Sequence, residues 1–331
     1  MEDVRISSSA VRSGGAFHRW SRLEITGSMQ TADRVALVLL GILWSGGFLF
    51  TRIAVPAFGP LALVDLRVLI AGMVLLLWVI ARGELPPFWR RWREYLVLGA
   101  LNVALPFTLI AWAALTLPAS LGAILLATVP LFTAPIAAIQ LNERVSGRQA
   151  VGLIVGFIGV GILVGLRPVS LTPAFMAAVS ALLGAAAFYA LGGVYTARRF
   201  TGASPIESTI GQQFGAFILL LPFALATPPQ AWPPLSAVVA LLILVVFSSV
   251  LAYLLFFRLI TSVGATATAT VSYLLPLFGT IWAVAVAHER IGLETLAGML
   301  VILSGVVMAT GSRLSRPRRR LASCRRVDPD A

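Results

Sequence analysis

Ten apolar runs, each about the length of a bilayer-crossing helix, constrain this chain more than anything else in its sequence: 35–55, 60–81, 95–115, 119–141, 149–166, 173–195, 206–227, 235–257, 264–287 and 292–312. A hydrocarbon core of about 30 Å takes about 20 residues of α-helix. Backbone polar groups in lipid must be satisfied internally, which leaves helices or closed barrels. Barrel strands alternate polar and apolar over about ten residues, and these runs do not. The expectation is an all-α polytopic membrane protein with ten transmembrane helices. The longest gap between runs, 82–94, has thirteen residues, so no separate soluble domain fits between them.

The net charge of +12 raises the question of a nucleic-acid partner, and the placement of the charges answers it. All 25 basic residues are Arg. With the N-terminus inside, 21 of them fall in inner segments and 3, Arg52, Arg167 and Arg290, in outer ones, while Arg67 lies within the second run. That is the positive-inside pattern, and it predicts both termini in the cytoplasm. The basic tail, 313–331, lacks stacking aromatics and reads as a lipid-facing anchor, with no nucleic acid as partner. Residues 1–34 have no apolar signal region and read as a flexible extension, with Met29 an ordinary alternative start. The one cysteine, Cys324, and two histidines provide no disulfide, no metal site and no HExxH motif. With no facing pair of intramembrane acids either, an enzyme is not expected, and no cofactor is implied.

The chain repeats itself. At a shift of 146, "VPLFTAPIAAIQLNERVSGRQAVGLIVGFIGVG" (129–161) aligns with "LPLFGTIWAVAVAHERIGLETLAGMLVILSGVV" (275–307), placing Pro130 on Pro276, Glu143-Arg144 on Glu289-Arg290, Gly152 on Gly298 and Gly159 on Gly305. Upstream the shift is 145, with Pro60 on Pro205 and Arg67 on Gln212. The units are 35–166 and 173–312, five runs each. An odd number of spans sends the second unit through the membrane upside down, so the repeats are inverted. Glu143-Arg144 then ends the fourth helix inside and Glu289-Arg290 the ninth outside. Each pair reads either as a helix stop, with Glu capping the next helix, or as a gate that opens one face while its twin closes the other.

Two five-helix copies, each with a mid-helix proline, an "ER" at the fourth helix end and a glycine-rich fifth helix, resemble the EamA-type branch of the drug/metabolite transporter superfamily over residues 33–312. The resemblance implies a ten-helix inner-membrane carrier, usually an exporter of small metabolites such as amino acids, amines or purines, with a cavity between the halves. Its partners would be the solute, membrane lipid and, if transport is coupled, a proton; monomer and homodimer both remain open. A channel or a membrane scaffold without carrier activity would share the helical bundle but would not require a duplicated, inverted unit.

Pro130 and Pro276 free the carbonyls four residues earlier, so both helices should kink, as hinges or as ordinary membrane-helix bends. Arg67, deep in the second run, costs on the order of 2.5 to 3.5 kcal/mol to insert. It either recognises an anion or snorkels. The other cavity candidates are Trp44, Asn102, Tyr189, Gln212, Gln213, Ser249, Tyr253, Thr270 and Tyr273; packing is the alternative reading, and the commoner one for aromatics at such depths. Asp65, Glu207 and His288 are the titratable groups available for proton coupling. The glycines 152, 156, 161 and 165 read as GxxxG packing.

Overall fold

The computed structural model describes residues 30–83, 88–141, 145–165, 172–200 and 202–310. Ten helices follow one another: α1 (Thr31–Phe58), α2 (Pro60–Ala81), α3 (Trp92–Ala113), α4 (Ala119–Gln140), α5 (Gly147–Gly165), α6 (Pro173–Arg199), α7 (Pro205–Ala226), α8 (Leu235–Gly264), α9 (Ala269–Ala285) and α10 (Leu293–Thr310). Among the described residues all regular structure is helical, and nine of the helices are long and apolar enough to cross a membrane. The tenth, α9, is 17 residues as bounded, but helical winding already covers residues 265–268. Gly264, at φ 84 and ψ 165, breaks the chain between α8 and that winding, a conformation only glycine adopts without strain.

Helix starts follow local chemistry. Pro173 and Pro205 occupy first-turn positions, where the missing N–H costs nothing. Thr172 Oγ1 accepts from Phe175 N at 3.2 Å. Ser146 and Gln149 form a reciprocal capping box at the start of α5. Leu77, Ile154, Ile218, Leu225 and Leu300 project outward, where lipid rather than water is the solvent.

The fifth helices of the two halves, α5 and α10, lie backbone against backbone. A Cβ at Gly152 would stand 2.6 Å from Ala309 N, and one at Gly159 2.6 Å from Ile302 N; a Cβ at Gly305 would collide with Gly156. The partner number falls as the α5 number rises, so these counterpart helices run antiparallel, as inverted halves require. The packing expectation holds for Gly152 and Gly156 but is corrected for Gly161 and Gly165, which have nothing within 4 Å of a Cβ and face away from the protein. The spacing is right for both pairs; 3.6-residue periodicity turns only one toward α10.

Winding departs from the regular α-helix at four places. Residues Ala127 and Thr128 interrupt α4 just before Pro130, with the Thr128 hydroxyl donating to Leu125 O at 2.6 Å. In α9 a 3-10 stretch, Ala269–Tyr273, precedes Pro276. Both proline helices are therefore distorted on the N-terminal side of the proline, where the ring denies a carbonyl its partner. Less expected are π segments at Ala100–Ala104 in α3 and Leu244–Leu251 in α8, at counterpart positions in the two repeats. Pro106, which cannot bond the Asn102 carbonyl, accounts for the first. The counterpart of Pro106 is Ala252, so a proline does not explain the second.

Replacing Gly305 with Leu is expected to destabilise the protein by about 1–3 kcal/mol through forced separation of α5 and α10. Gly161→Leu should leave the thermal midpoint in detergent unchanged. Equal midpoints for the two variants would contradict the close packing.

Candidate functional site

Polar side chains from six helices meet in the middle third of the bundle; Asn102, for instance, stands halfway along α3. Arg67 of α2 donates through Nε to Ser249 Oγ at 3.0 Å and through Nη2 to Ser248 Oγ at 3.4 Å, both on the π segment of α8. Its guanidinium carbon lies 4.3 Å from the centre of the Phe107 ring on α3. On the other side, Gln212 of α7 accepts from Asn102 Nδ2 at 3.4 Å, on the π segment of α3, and donates to Tyr253 OH at 3.5 Å.

These two clusters are copies of one another with the halves exchanged. The shift of 145 carries Arg67 onto Gln212, and that of 146 carries Asn102 onto Ser248 and Phe107 onto Tyr253. Arg67 with Ser248 and Phe107 therefore repeats as Gln212 with Asn102 and Tyr253. The surrounding contacts repeat too. Trp44 of α1 meets Tyr253 edge-on at 6.3 Å, and its counterpart Tyr189 of α6 meets Phe107 edge-on at 6.4 Å. Gly47 lies where a Cβ would be 2.7 Å from Ser248 Oγ, and its counterpart Gly192 lies where a Cβ would collide with Asn102 Oδ1. In each case the first and second helices of one half cradle the π segment of the other. A widened turn that presents polar side chains at a helix interface is a common feature of functional sites.

A second inter-half contact lies at one end of the bundle. The turn after α9 has His288 at φ 52. It delivers the Glu289 carboxylate to the start of α4, where Oε1 accepts from Ala119 N at 2.8 Å and Oε2 accepts from Ser120 N at 3.3 Å and Ser120 Oγ at 2.6 Å. A carboxylate here satisfies orphan N–H donors and meets the positive end of the helix dipole. Glu289 thus caps α4 of the opposite half rather than the helix that follows it. Beside it, Arg52 of α1 donates to the Leu117 carbonyl. Arg290 is exposed. Glu143 and Arg144 lie outside the described residues, as do Arg167, the basic tail and residues 1–29 of the expected N-terminal extension; residues 31–34, placed in that extension by the sequence, form instead the first turn of α1.

Seven of the ten cavity candidates gather in the cage: Trp44, Arg67, Asn102, Tyr189, Gln212, Ser249 and Tyr253. Three do not. Gln213 is fully buried against α2 beside Gly72, with neither amide atom bonded to the protein. The Thr270 hydroxyl donates to its own helix at Ala267 O, 2.6 Å away, and Tyr273 bonds Thr310 on α10. Sequence reasoning missed Gly47, Gly192, Phe107 and Ser120. The repeat shifts aligned the first three with Gly192, Gly47 and Tyr253; nothing in the sequence pointed from Ser120 to Glu289.

A duplicated bundle with a polar cage at the junction of its halves is the architecture of a membrane transporter. The chain belongs to the EamA-like transporter family, whose model matches residues 34–165 and again 176–311, once per half. Among its relatives are the uncharacterized transporter YvbV of Bacillus subtilis (strain 168), 26% identical and aligned over 84% of this chain and 92% of its own length. Protein PecM of Dickeya dadantii (strain 3937) is 27% identical, over 86% of this chain and 94% of PecM. The uncharacterized inner membrane transporter YedA of Escherichia coli (strain K12) is 26% identical, over 84% and 91%. A solved crystal structure covers 87% of this chain and 100% of its own at a TM-score of 0.60 and 20% identity, which shows the fold. The protein is accordingly a multi-pass membrane transporter, embedded in lipid and acting on a small-molecule substrate.

Loss of the Ser249 hydroxyl removes the shorter of the two bonds to a charged donor, at a cost of about 1–3 kcal/mol. Ser249→Ala is expected to lower the thermal midpoint more than Ser248→Ala, whose bond is 3.4 Å long. The reverse order would mean that Arg67 is held otherwise than described.

Proposed function

We propose that this transporter is an alternating-access secondary carrier that exports small metabolites, with both termini cytoplasmic and the central cage as the solute site. The observation that carries this reading is the reciprocity of the cage. The glycine, π-segment and aromatic contacts that the first half makes to the second are made again by the second to the first, while the Arg67 bond to Ser249, whose counterpart is Val103, is made once. When two near-equivalent units swap conformations, the resulting state is built from the same kinds of contact, so inward-open and outward-open forms differ little in energy. A fixed site between inverted repeats is then exposed to each face in turn.

The gates follow from the same repeat. The shift of 146 carries Glu289, Ala119 and Ser120 onto Glu143, Ala265 and Thr266. In this reading Glu289 on α4 seals one face, and Glu143 on the start of the α9 winding seals the other when the first clamp opens. The interruptions ahead of Pro130 and Pro276 act as hinges, because a helix lacking a hydrogen bond at that point bends without breaking another. The distribution of arginines supports an external position for the Glu289 clamp in this reading. Export is the direction that the family resemblance implies.

Paired spin labels test the exchange without knowledge of the solute. In a Cys324→Ser background, label pairs at Leu115→Cys with Arg290→Cys and at Arg144→Cys with Thr261→Cys report the two ends. Glu289→Gln, which weakens the charged clamp, should lengthen the first distance and shorten the second. If the two distances lengthen together, or neither responds, alternating access through these clamps is wrong.

A further inference from the structure

We infer, building on the carrier reading, that the cage is selective for small monocarboxylates: the carboxylate binds the free edge of the Arg67 guanidinium, and an uncharged, flat or apolar body lies among the aromatic rings. Three observations point to this class. First, Arg67 is a cation without an anion. Among the described residues the one ion pair joins Arg91 to Glu94. Asp65 is two residues away on α2, a spacing that puts it on a different helix face.

Second, the fold does not need that charge. Gln212 occupies the counterpart position in an equivalent cradle, with a glycine below, a polar π-segment residue beside it and an aromatic ring across from it. A neutral amide fits the same construction, so an arginine that costs several kcal/mol to insert has another reason to be there. Third, the guanidinium is half used. Its Nε and Nη2 edge is held by Ser249 and Ser248. The Nη1 and Nη2 edge is left for an end-on, bidentate carboxylate, the geometry in which this pair is strongest.

The rest of the cage sets the remainder of the solute. Trp44, Phe107, Tyr189 and Tyr253 present ring faces and edges, and Gln212 and Asn102 offer neutral donors and acceptors through long, exchangeable bonds. None of these is an acid that would match an ammonium, and none is a second cation for a second carboxylate. Amines, zwitterions and dicarboxylates therefore each leave a charge unmatched in a site where desolvation is expensive.

Matched probes differing only in charge test this on the purified full-length protein in detergent: benzoate, benzamide, benzylamine and terephthalate, with 2-naphthoate and indole-3-acetate to vary the body. The monocarboxylates are expected to raise the thermal midpoint, and the amide, amine and dicarboxylate are not. Arg67→Gln, which installs the counterpart residue, should weaken monocarboxylate binding by about tenfold to a hundredfold, whereas Arg67→Lys should retain part of it. Should Arg67→Gln not purify as a folded protein, Arg67→Lys and the wild-type charge series still decide the matter. A shift from benzamide or benzylamine equal to that from benzoate, an undiminished benzoate shift in both variants, or no shift from any monocarboxylate would overturn the proposal. Binding in detergent does not depend on gate exchange, so this outcome is separable from failure of the carrier reading.

Discussion

Hydrocarbon does not solvate polar groups, so a polar side chain buried in a membrane protein either finds its partner within the protein or is left unsatisfied at a cost, as Gln213 is. Where partners are found in the cage, they lie across the boundary between the two halves. Arg67 turns to Ser248 and Ser249, Asn102 to Gln212, and Glu289 to the first amides of α4. Apolar packing between lipid-facing helices provides little direction of its own, because lipid tails are as apolar as leucine. Polar contacts of this kind, with the glycine contacts between α5 and α10, therefore fix how the halves meet.

Duplication and divergence contribute separately. The duplicated part consists of glycines that admit a neighbour, π segments that present polar side chains, and aromatic pairs that flank them. These features depend on backbone and shape, and both halves retain them. What has diverged is charge and hydroxyl content: Arg67 against Gln212, Ser248 against Asn102, Tyr253 against Phe107 and Trp44 against Tyr189. In the proposed carrier, a symmetric cradle serves exchange between two states and an asymmetric lining serves to orient a solute within it. That reading assigns the two demands to different atoms of the same residues.

Much of this was legible in the sequence because it rests on periodic signals. Ten spans follow from apolar run length, and inversion follows from a five-span repeat. The cage members Trp44, Arg67, Asn102, Tyr189, Gln212, Ser249 and Tyr253 were recognisable as polar or aromatic residues inside apolar runs. Their pairing was not legible, because the repeat shift identifies counterparts within each half and says nothing of which residue faces which across the junction. Thr270 shows a second limit: a hydroxyl in a helix can be satisfied by its own preceding turn, and composition does not distinguish that from a hydroxyl offered to solute. The π segment of α8 lacks the proline found beside its twin, so its winding answers to packing rather than to a local signal.

Opposite orientation of the two halves underlies the cage and the proposed exchange of clamps, and thiol labelling measures it directly. In a Cys324→Ser background, Arg290→Cys and Arg144→Cys occupy counterpart positions after the ninth and fourth helices. An impermeant maleimide is predicted to label Arg290→Cys on intact cells and Arg144→Cys only after permeabilisation. Labelling of both from the same side would contradict the inverted arrangement and the account built on it.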